Sequence, residues 1–325
     1  MGINNLPHFI ITVDTEGDDL WSKSKDISTK NSEYLPRFQE LCEKYQLKAT
    51  YLTTYEMAFS NAFKDLGKTV LKNNTGEIGM HLHAWNNPPQ VQLTKNDYFF
   101  QPYAIEYDNK ILREKIRILT TVLEDTFSKK IISHRAGRWA FNKNYAKILV
   151  EEGYKIDCSV TPLRSWKNTL GDPNGKGGTD YSDSPNKPYW FIGSSKEFDN
   201  SLLEVPMTII SENKLLNYIC DNRLLMSEWL KRRLKTYMKP LWLRPNGKNL
   251  DQMKYILDYK LAIKDNYAMF MLHSSELMPG SNPIFKNNQA IENLYSQLDE
   301  LFAKVKDNYQ GSTLSEFYNK IIQKI

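Results

Sequence analysis

The sequence predicts an α/β protein built around a parallel sheet or a (β/α) barrel. Short apolar segments typical of buried strands alternate with longer amphipathic segments typical of helices. Polar clusters follow these strands repeatedly, at 14–18, 81–86, 134–138, 157–162 and 273–276. Because the carboxyl ends of barrel strands meet at one rim, where active sites lie, the clusters also predict an enzyme.

The individual elements follow from local patterns along the chain. Phe9–Val13 is an apolar, β-branched run that ends in acidic residues, as a buried parallel strand would. The segment 110–127 carries apolar residues at the three- and four-residue spacing of an amphipathic helix. By the same criteria we expect further strands at 48–53, 77–83, 130–133, 154–157, 201–210 and 269–273, and helices at 33–46, 56–73, 143–152, 222–238, 248–265, 287–307 and 313–323.

The stretch 163–200 interrupts this alternation. It is rich in Gly, Pro, Asp, Asn and Ser, and a structureless segment of that length inside a compact domain is usually functional. Its glycine-rich part, 171–178, is not a phosphate-binding loop, because no Gly-Lys-Ser/Thr follows a strand there. With 41% hydrophobic residues the chain can bury one large core, so we expect a single domain over 1–325 with an elaborated loop at 163–200 and helices at the C-terminus.

Composition argues against several classes of protein. A net charge of +5 in 325 residues is too small for a dedicated nucleic-acid binder. Cys42, Cys158 and Cys220 are widely spaced and form no CxxC pair, which argues against a disulfide framework and a thiolate zinc site. The N-terminus lacks the features of a signal peptide, and the apolar runs are too short to span a bilayer, so we expect a cytoplasmic protein.

Two of the five histidines are spaced for joint ligation of a metal ion. His81 and His83 stand at positions i and i+2 of a predicted strand, so their side chains project to the same side. Together they can chelate one ion as neutral imidazoles. The alternative is that each is an ordinary structural histidine.

Three acidic residues, Asp14, Glu16 and Asp18, immediately follow the first predicted strand. Such residues can cap a helix or form an Asx turn, and this role suits Asp18 as well as a functional one does. Asp14 and Glu16 are harder to explain in that way, since carboxylates clustered at a barrel rim are costly without a cation. Two imidazoles and one carboxylate with open positions are typical of a hydrolytic metal site.

Five segments of the chain carry a family resemblance, and they occur in the order Ile11–Glu16, Glu77–His83, His134–Trp139, Asp157–Val160 and Leu272–Ser275. They resemble the five ordered motifs of the polysaccharide deacetylases, the NodB-homology family, over about residues 9–275. The resemblance implies a distorted parallel (β/α) barrel of seven or eight strands. It also implies a metal-dependent hydrolase that removes an N-linked acetyl group from an amino sugar in a glycan or glycan precursor.

The resemblance assigns roles around the metal. Asp14 matches the catalytic base and Glu16 the acidic ligand; the family has two adjacent aspartates here, so Asp18 stays an alternative to Glu16. His81 and His83 match the two imidazole ligands, although the family spaces its histidines four residues apart, where this chain has a tryptophan. The implied cofactor is one divalent ion; zinc suits this ligand set, and cobalt, nickel and iron are alternatives.

The resemblance also assigns the remaining catalytic residues. Arg135 pairs with the base, His273 is the catalytic acid, and Asp157 orients that histidine. The neighbouring His134 is expected to pack or hydrogen-bond locally. The alternative for Asp157 is that it caps a turn.

A carbohydrate partner is implied, and several residues are candidates for contacting it. Arg138 could instead be a surface residue, and Arg244 could form a buried ion pair. The aromatic residues of the long loop could stack on sugar rings or form a local hydrophobic cluster that folds the loop down. The candidates for substrate contact are Trp85, Trp139, Trp190, Arg138 and Arg244, and the loop aromatics are Trp166, Tyr181, Tyr189 and Trp190.

Two other functions remain open from the sequence. The same site could belong to an amidase or deformylase acting on a nucleotide-linked or lipid-linked sugar or on another small amide. The barrel could also bind a glycan without turnover, although the presence of both Asp14 and His273 argues against this. The basic run Lys231–Lys235 is either a solvated helix face or a surface for the phosphates of such carriers, which would place the protein at the periphery of a membrane.

Overall fold

The computed structural model describes residues 6–213, 217 and 239–323. Its centre is a curved sheet whose long strands are buried on both faces, which explains the apolar runs at 9–13 and 267–272. The strands are β1 (His8–Thr15), β2 (Ala49–Thr53), β3 (Gly76–Leu82), β4 (Ser133–Ala136), β5 (Ile156–Asp157), β6 (Tyr189–Ile192), β7 (Leu202–Glu204), β8 (Ile209–Ser211), β9 (Pro240–Trp242), β10 (Tyr267–His273) and β11 (Gln310–Ser312).

The strands of the main sheet follow the order β10-β1-β2-β3-β4-β5-β7-β6, and β11 pairs with the start of β1. Neighbouring strands are parallel from β10 to β7, and only β6 is antiparallel to its neighbour. The carboxyl ends of the parallel strands therefore lie at the same rim. This arrangement positions the candidate site.

The barrel is distorted where β7 approaches β10. Among the described residues no strand joins these two; β8 and β9 form a separate antiparallel ribbon in this region. The connection is made by isolated hydrogen bonds, from the Met269 N–H to Thr208 Oγ1 (2.8 Å) and from the Met271 N–H to the Leu243 carbonyl (3.3 Å). The predicted distorted parallel (β/α) barrel is thus confirmed.

Helices cover the outside of the sheet with their apolar faces. In the helix of 109–127, Leu112, Ile116, Leu119 and Leu123 are buried, as their spacing predicts. Side-chain oxygens cap several N-termini, as Asp108 does for this helix. The helices are α1 (Leu35–Lys44), α2 (Asn61–Asn73), α3 (Asp97–Phe100), α4 (Asn109–Phe127), α5 (Lys143–Glu151), α6 (Leu250–Ala262), α7 (Asn288–Asn308) and α8 (Leu314–Ile322).

The structure departs from the sequence-based expectations in several places. The strand expected at 130–133 is β4, which begins only at Ser133, and α3, β9 and β11 were not expected. The strand expected at 201–210 is divided into β7 and β8 by the extended segment 205–208. The segment 163–200 is not structureless, since it contains β6 and a bridge between Ser165 and Asp180.

Several expectations concern residues outside the described part of the chain. The helix expected at 222–238, the basic run and Cys220 all lie there. Cys42 and Cys158 are buried free thiols. No helix among residues 6–213 and 239–323 has the length and apolar character needed to cross a membrane.

Candidate metal centre and active site

Strand register brings the predicted site residues together. Asp14 at the end of β1 is paired with His273 of β10, and His81 of β3 is paired with Arg135 of β4. The strand ends open into a cavity of about 330 Å³. Its lining includes Asp14, Glu16, His81, His83 and His273.

Glu16, His81 and His83 direct three ligand atoms towards a common point. The Nε2 atoms of His81 and His83 lie 3.1 Å apart, and Glu16 Oε2 lies 3.8 Å from the first and 3.4 Å from the second. Nitrogen ligands of a tetrahedral zinc ion lie roughly 3.3 Å apart, so this spacing suits a single ion. The part of the chain that the structure describes contains no other cluster of this kind.

The two imidazoles are neutral, as metal ligands must be. Burial lowers the pKa of His81 to about 4 and holds the pKa of His83 well below its ordinary value. His81 Nδ1 lies 3.0 Å from the Arg135 carbonyl oxygen, so this nitrogen carries the proton and Nε2 is free to bind a metal ion. His83 stacks on Trp85 with ring centroids 4.3 Å apart, and its Nδ1 has no hydrogen-bond partner among the described residues.

Glu16 is a buried carboxyl group, and the cation that acts on it, Arg244, does not outweigh its burial. Burial raises its pKa well above the ordinary value, and the negative charges of Asp14, Glu56 and Glu276 raise it further. A bound cation would favour the ionised carboxylate and offset this cost. The donor set of two neutral imidazoles and one such carboxyl group therefore fits a divalent metal ion.

Asp18, the alternative acidic ligand, is engaged elsewhere. Its carboxylate accepts hydrogen bonds from the Ser28 hydroxyl (2.6 Å), the Lys30 N–H (2.9 Å), and the backbone (2.8 Å) and side-chain amide (2.5 Å) of Asn31. These contacts fold the segment 18–31 back on itself. Asp18 is therefore a turn-forming residue, which leaves Glu16 as the acidic candidate.

We expect Asp18→Ala to destabilise the fold without weakening metal binding. Leaving several donors of the turn without their acceptor should lower the free energy of unfolding by about 1–3 kcal/mol. Urea denaturation would measure this change, and calorimetric titration with zinc would measure the affinity. Glu16→Gln should show the reverse pattern, and a loss of zinc affinity in stable Asp18→Ala would restore Asp18 as the ligand.

Asp14 lies beside the ligand cluster with one oxygen free. Its Oδ1 accepts a hydrogen bond from the Arg135 guanidinium, while Oδ2 lies 3.9 Å from His81 Nε2 and 3.7 Å from His273 Nε2. Burial alone would raise the pKa of Asp14, but the charge and the hydrogen bond of Arg135 hold it well below the usual range. Asp14 is therefore an ionised carboxylate that can accept a proton at Oδ2.

Arg135 is fully buried and held from several directions. Its Nε donates to the Cys158 carbonyl (3.2 Å) and its Nη2 to Thr12 Oγ1 (2.8 Å). The guanidinium carbon lies 4.9 Å from the ring centroid of Trp139. These contacts fix the direction from which the positive charge acts on Asp14.

His273 has a carboxylate neighbour, which is Glu276. Arg244 Nη2 donates to His273 Nδ1 at 2.8 Å and to Glu276 Oε1 at 2.6 Å. Glu276 Oε1 lies 3.6 Å from the same imidazole nitrogen, and its Oε2 accepts the His273 backbone N–H at 3.0 Å. Because an arginine can only donate, Nδ1 accepts here and the ring proton lies on Nε2, which faces Asp14.

The prediction that Asp157 orients His273 is wrong. The fully buried Asp157 carboxylate lies 2.5 Å from His134 Nδ1 and accepts hydrogen bonds from the backbone and hydroxyl of Ser159, both at 2.8 Å. His134 also contacts the Tyr145 hydroxyl at 2.8 Å, so this histidine hydrogen-bonds locally as expected. The physical reason is register, because His134 and Asp157 are paired residues of neighbouring strands.

A second buried carboxyl group adjoins Asp157. Burial and the charge of Asp157 raise the pKa of Glu204 well above its ordinary value. Burial would also raise the pKa of Asp157, but His134 holds it below the usual range. Glu204 is therefore the protonated member of this pair, and the cluster is a structural network inside the barrel.

Most of the predicted substrate residues border the cavity. Trp190 does not: it lies in β6, at the edge of the sheet, and packs against Phe198 and Tyr318 with ring centroids 6.1 and 6.4 Å apart. The prediction for Trp190 is therefore wrong, because pairing of β6 with β7 carries it away from the cavity. The predicted residues that line the cavity are Trp85, Trp139, Arg138 and Arg244.

The aromatic residues of the long loop have different positions. Trp166 lines the cavity. Tyr181 is buried, and its hydroxyl donates to the Trp139 carbonyl at 2.6 Å. Tyr189 lies in β6 with Trp190. The loop thus contributes the Trp166 ring to the site, and Tyr181 anchors the loop through its hydrogen bond to Trp139.

Sequence reasoning missed Trp21, Tyr103 and Glu276. Trp21 and Tyr103 line the cavity, and Trp21 lies edge-on to the His273 ring with centroids 5.4 Å apart. Neither belongs to a motif, so no signal pointed to them. Glu276 did carry a signal, since a glutamate three residues after His273 matches the spacing of a capping box.

Comparison with known proteins gives structural similarity alone. No protein-family model matches this sequence, and no curated protein matches it. A Mycobacterium smegmatis protein assigned as a polysaccharide deacetylase has 13% identity and a TM-score of 0.59, over 100% of this chain and 93% of its own. Puue allantoinase has 12% identity and a TM-score of 0.56, over 98% and 91%.

A third similar structure is a Pseudomonas aeruginosa PAO1 protein, also assigned as a polysaccharide deacetylase. It has 10% identity and a TM-score of 0.50, over 97% of this chain and 89% of its own. Identities this low speak for the fold and not for the reaction. This chain has the polysaccharide deacetylase fold.

Proposed function

We propose that this protein is a metal-dependent hydrolase that removes the acetyl group from an N-acetylated amino sugar in a glycan or glycan precursor. The observation that carries the proposal is the convergence of Glu16, His81 and His83 beside Asp14 and His273. A cation site, a base and an acid in one cavity are what hydrolysis of an amide needs. The shared fold supports the carbohydrate substrate class.

Glu16, His81 and His83 would hold the metal ion. When bound, a divalent ion polarises the acyl oxygen and lowers the pKa of water. Three protein ligands leave a coordination position open, as in catalytic zinc sites. Zinc suits the ligand set best, and cobalt, nickel or iron would fit the same residues.

Asp14 is the proposed base. Arg135 occupies its Oδ1 and keeps the carboxylate ionised, so Oδ2 remains to accept a proton. As a water molecule adds its oxygen to the acyl carbon, Oδ2 removes the proton that this oxygen loses. Burial of the pair keeps the carboxylate directed at the cavity throughout.

His273 is the proposed acid. Its Nε2, which carries the ring proton, lies 3.7 Å from Asp14 Oδ2 and 3.8 Å from Glu16 Oε1, so it faces the reacting group. It would donate the Nε2 proton to the amide nitrogen as the C–N bond breaks, giving acetate and the free amine, and would take in its place the proton that Asp14 Oδ2 has removed from water. Without a proton this nitrogen would be a poor leaving group.

Aromatic residues form much of the cavity wall and suit a sugar ring. Trp85, Trp139 and Trp166 present apolar ring surface, with Tyr103 nearby. Aromatic faces pack well against the C–H faces of a pyranose, while the edges of these rings leave the sugar hydroxyls accessible to polar partners. Arg244 lines the same cavity and donates a hydrogen bond to His273, so it is the cationic candidate for substrate contact beside the proposed acid.

A second candidate function is hydrolysis of another amide, such as a formyl group on a carrier-linked sugar or a small cyclic amide. The structural similarity to an allantoinase favours keeping it, since the fold is common to both. The identity of the released acid separates the candidates. Acetate supports the proposal, and formate or ring opening supports the alternative.

The proposal is tested by loading the protein with metal and measuring acetate release from N-acetylated amino sugars. Protein stripped with a chelator should be inactive, and zinc should restore activity at one ion per chain. Because the pKa of Glu16 is raised and both histidines are already neutral, zinc binding should release a proton from Glu16. Zinc affinity should therefore fall as the pH falls through the raised Glu16 pKa.

The matched control is Glu16→Gln, which keeps the size of the side chain and removes the titrating group. Zinc affinity should fall by more than about 100-fold, since outer-shell changes alone cost about 10–100-fold, and proton release should disappear. Calorimetry in buffers of different ionisation enthalpy measures both quantities. Activity that survives complete removal of metal would refute the proposal.

A further inference from the structure

The lining of the candidate cavity comes from several segments at the barrel rim, which form its walls. Leu20 and Trp21 follow β1, Trp85 follows β3, and Trp139 follows β4. Further lining residues come from the segment 101–103, from positions 166 and 169 of the long loop, and from Arg244 after β9. Among the described residues the cavity is thus lined from several directions, which suits a pit better than a groove that crosses the rim.

Arg138 fastens two of these walls to each other. Its Nη1 donates to the carbonyls of Phe100 (3.3 Å) and Gln101, and its Nη2 donates to the carbonyl of Leu170 (3.0 Å). The guanidinium also lies 4.2 Å from the Tyr103 ring centroid. One side chain therefore joins the segment 97–107 to the long loop.

Glu106 makes a second connection between the same walls. Its carboxylate accepts the backbone N–H of Tyr103 (2.6 Å) and of Asp172 (3.0 Å). The Tyr103 hydroxyl in turn donates to the Thr169 carbonyl (2.8 Å). The long loop is therefore held to the rim by bonds at several points.

The glycine-rich stretch of the loop permits this close contact. A Cβ atom at Gly171 would lie 2.3 Å from Glu106 Oε2, and one at Gly175 would lie 2.2 Å from Glu106 Oε1. No side chain can be accommodated at such distances without moving the carboxylate. The glycine-rich stretch 171–178 therefore lets the backbone of the long loop pack directly against the Glu106 carboxylate.

The backbone beside the cavity also takes an uncommon conformation. Arg138 and Trp139 have φ of 53° and 64°, in the left-handed region that non-glycine residues rarely adopt. Such residues persist where the surrounding contacts determine them, at a cost of about 1–3 kcal/mol each. Here the conformation places Arg138 on the two walls and Trp139 at the cavity.

The geometry points to a site that accepts the terminal amino sugar of a glycan or a carrier, and not an internal unit of a polysaccharide chain. This inference rests on the proposed function and specifies its substrate. An internal unit has a glycosidic neighbour on two sides, and a pit admits only one. The volume of about 330 Å³ is also near the lower end of small-ligand pockets, as for one acylated sugar.

The test uses the zinc-loaded protein with tetramers of N-acetylglucosamine and of N-acetylgalactosamine, and with glycol chitin, a water-soluble chitin derivative, as the polymer. Mass spectrometry of the products gives the position of each free amine. We expect release at one terminal unit to exceed release at internal units by at least about tenfold. Equal rates at internal units, or equal rates per unit on the polymer, would overturn the inference while supporting the proposed function.

Release from none of these sugars by protein with a full metal site would instead count against the proposed function itself. Two wall variants add an independent measurement. Glu106→Ala removes the carboxylate that holds the loop, and Gly175→Ala displaces it, so both should increase the share of internal deacetylation several-fold. Glu197→Ala, an exposed position in the same insertion, should leave the share unchanged. Unchanged product positions in both wall variants would contradict the role of these walls.

Discussion

Replacing Asp14 by asparagine should reduce kcat for amide hydrolysis by about 10²–10⁴-fold while the protein still binds zinc. Asparagine has nearly the same shape but cannot take a proton from water. Asp14 is outside the ligand cluster of Glu16, His81 and His83, so the metal affinity should change little. Steady-state kinetics on an N-acetylated sugar and calorimetry with zinc measure the two effects.

The loss should be the same on an activated ester such as p-nitrophenyl acetate, because attack by water needs the base whatever group leaves. Stability requires a separate measurement, since Arg135 loses its carboxylate partner in this variant. Removing one member of a buried ion pair costs about 3–5 kcal/mol, although Arg135 keeps its bonds to Cys158 and Thr12. Asp14→Asn that is folded, loaded with metal and within tenfold of the wild-type rate would assign the base elsewhere.

The parts of the site that could be predicted from the sequence are those set by strand ends. Apolar runs followed by polar clusters place Asp14, His81 and His273 at one rim, because parallel strands share their direction. The i, i+2 spacing of His81 and His83 directs both rings to one side. These inferences need only the local spacing of apolar and polar residues and the rule that neighbouring parallel strands run in the same direction.

Partner choice inside the barrel could not be predicted in this way. Asp157 faces His134 because the residues are paired across β4 and β5, and nothing in either local sequence specifies that register. The family resemblance implied His273 as the partner, yet the carboxylate that contacts His273 is that of Glu276, only three residues away. Glu276 contacts a residue close to it in sequence, whereas Asp157 contacts a residue of another strand. Only the contact that is local in sequence leaves a signal in the sequence.

The contacts that hold the walls of the cavity together could not be predicted from the sequence for the same reason. Glu106 binds the loop at Asp172, 66 residues further along the chain, and Arg138 reaches Leu170. Glycine content indicated that the loop is irregular, but not what its backbone approaches. Trp190 lies in the same segment, and there the pairing of a short edge strand overrode the expectation of a loop.

Glu276→Gln should reduce kcat for the amide substrate by about 10–100-fold and leave KM nearly unchanged. Glu276 does not line the cavity; it acts through His273, whose backbone N–H it accepts and whose Nδ1 it approaches together with Arg244. Burial alone would raise the pKa of the Glu276 carboxyl group, but Arg244 and His273 hold that pKa at about 2. It is therefore ionised at neutral pH, and glutamine removes the charge while keeping an acceptor.

Substrates with different leaving groups distinguish a positioning role of Glu276 from a purely structural one. If Glu276 supports proton donation by His273, the loss should be large for the amide and small for p-nitrophenyl acetate, whose phenolate leaves without a proton. Asp157→Asn is the matched comparison, because the family resemblance implied the same role for Asp157. It should lower the free energy of unfolding through the network with His134 and leave the ratio of amide to ester rates as in the wild type. A selective loss of amide hydrolysis in folded Asp157→Asn, with none in Glu276→Gln, would return the supporting role to Asp157 and with it the arrangement that the sequence suggested.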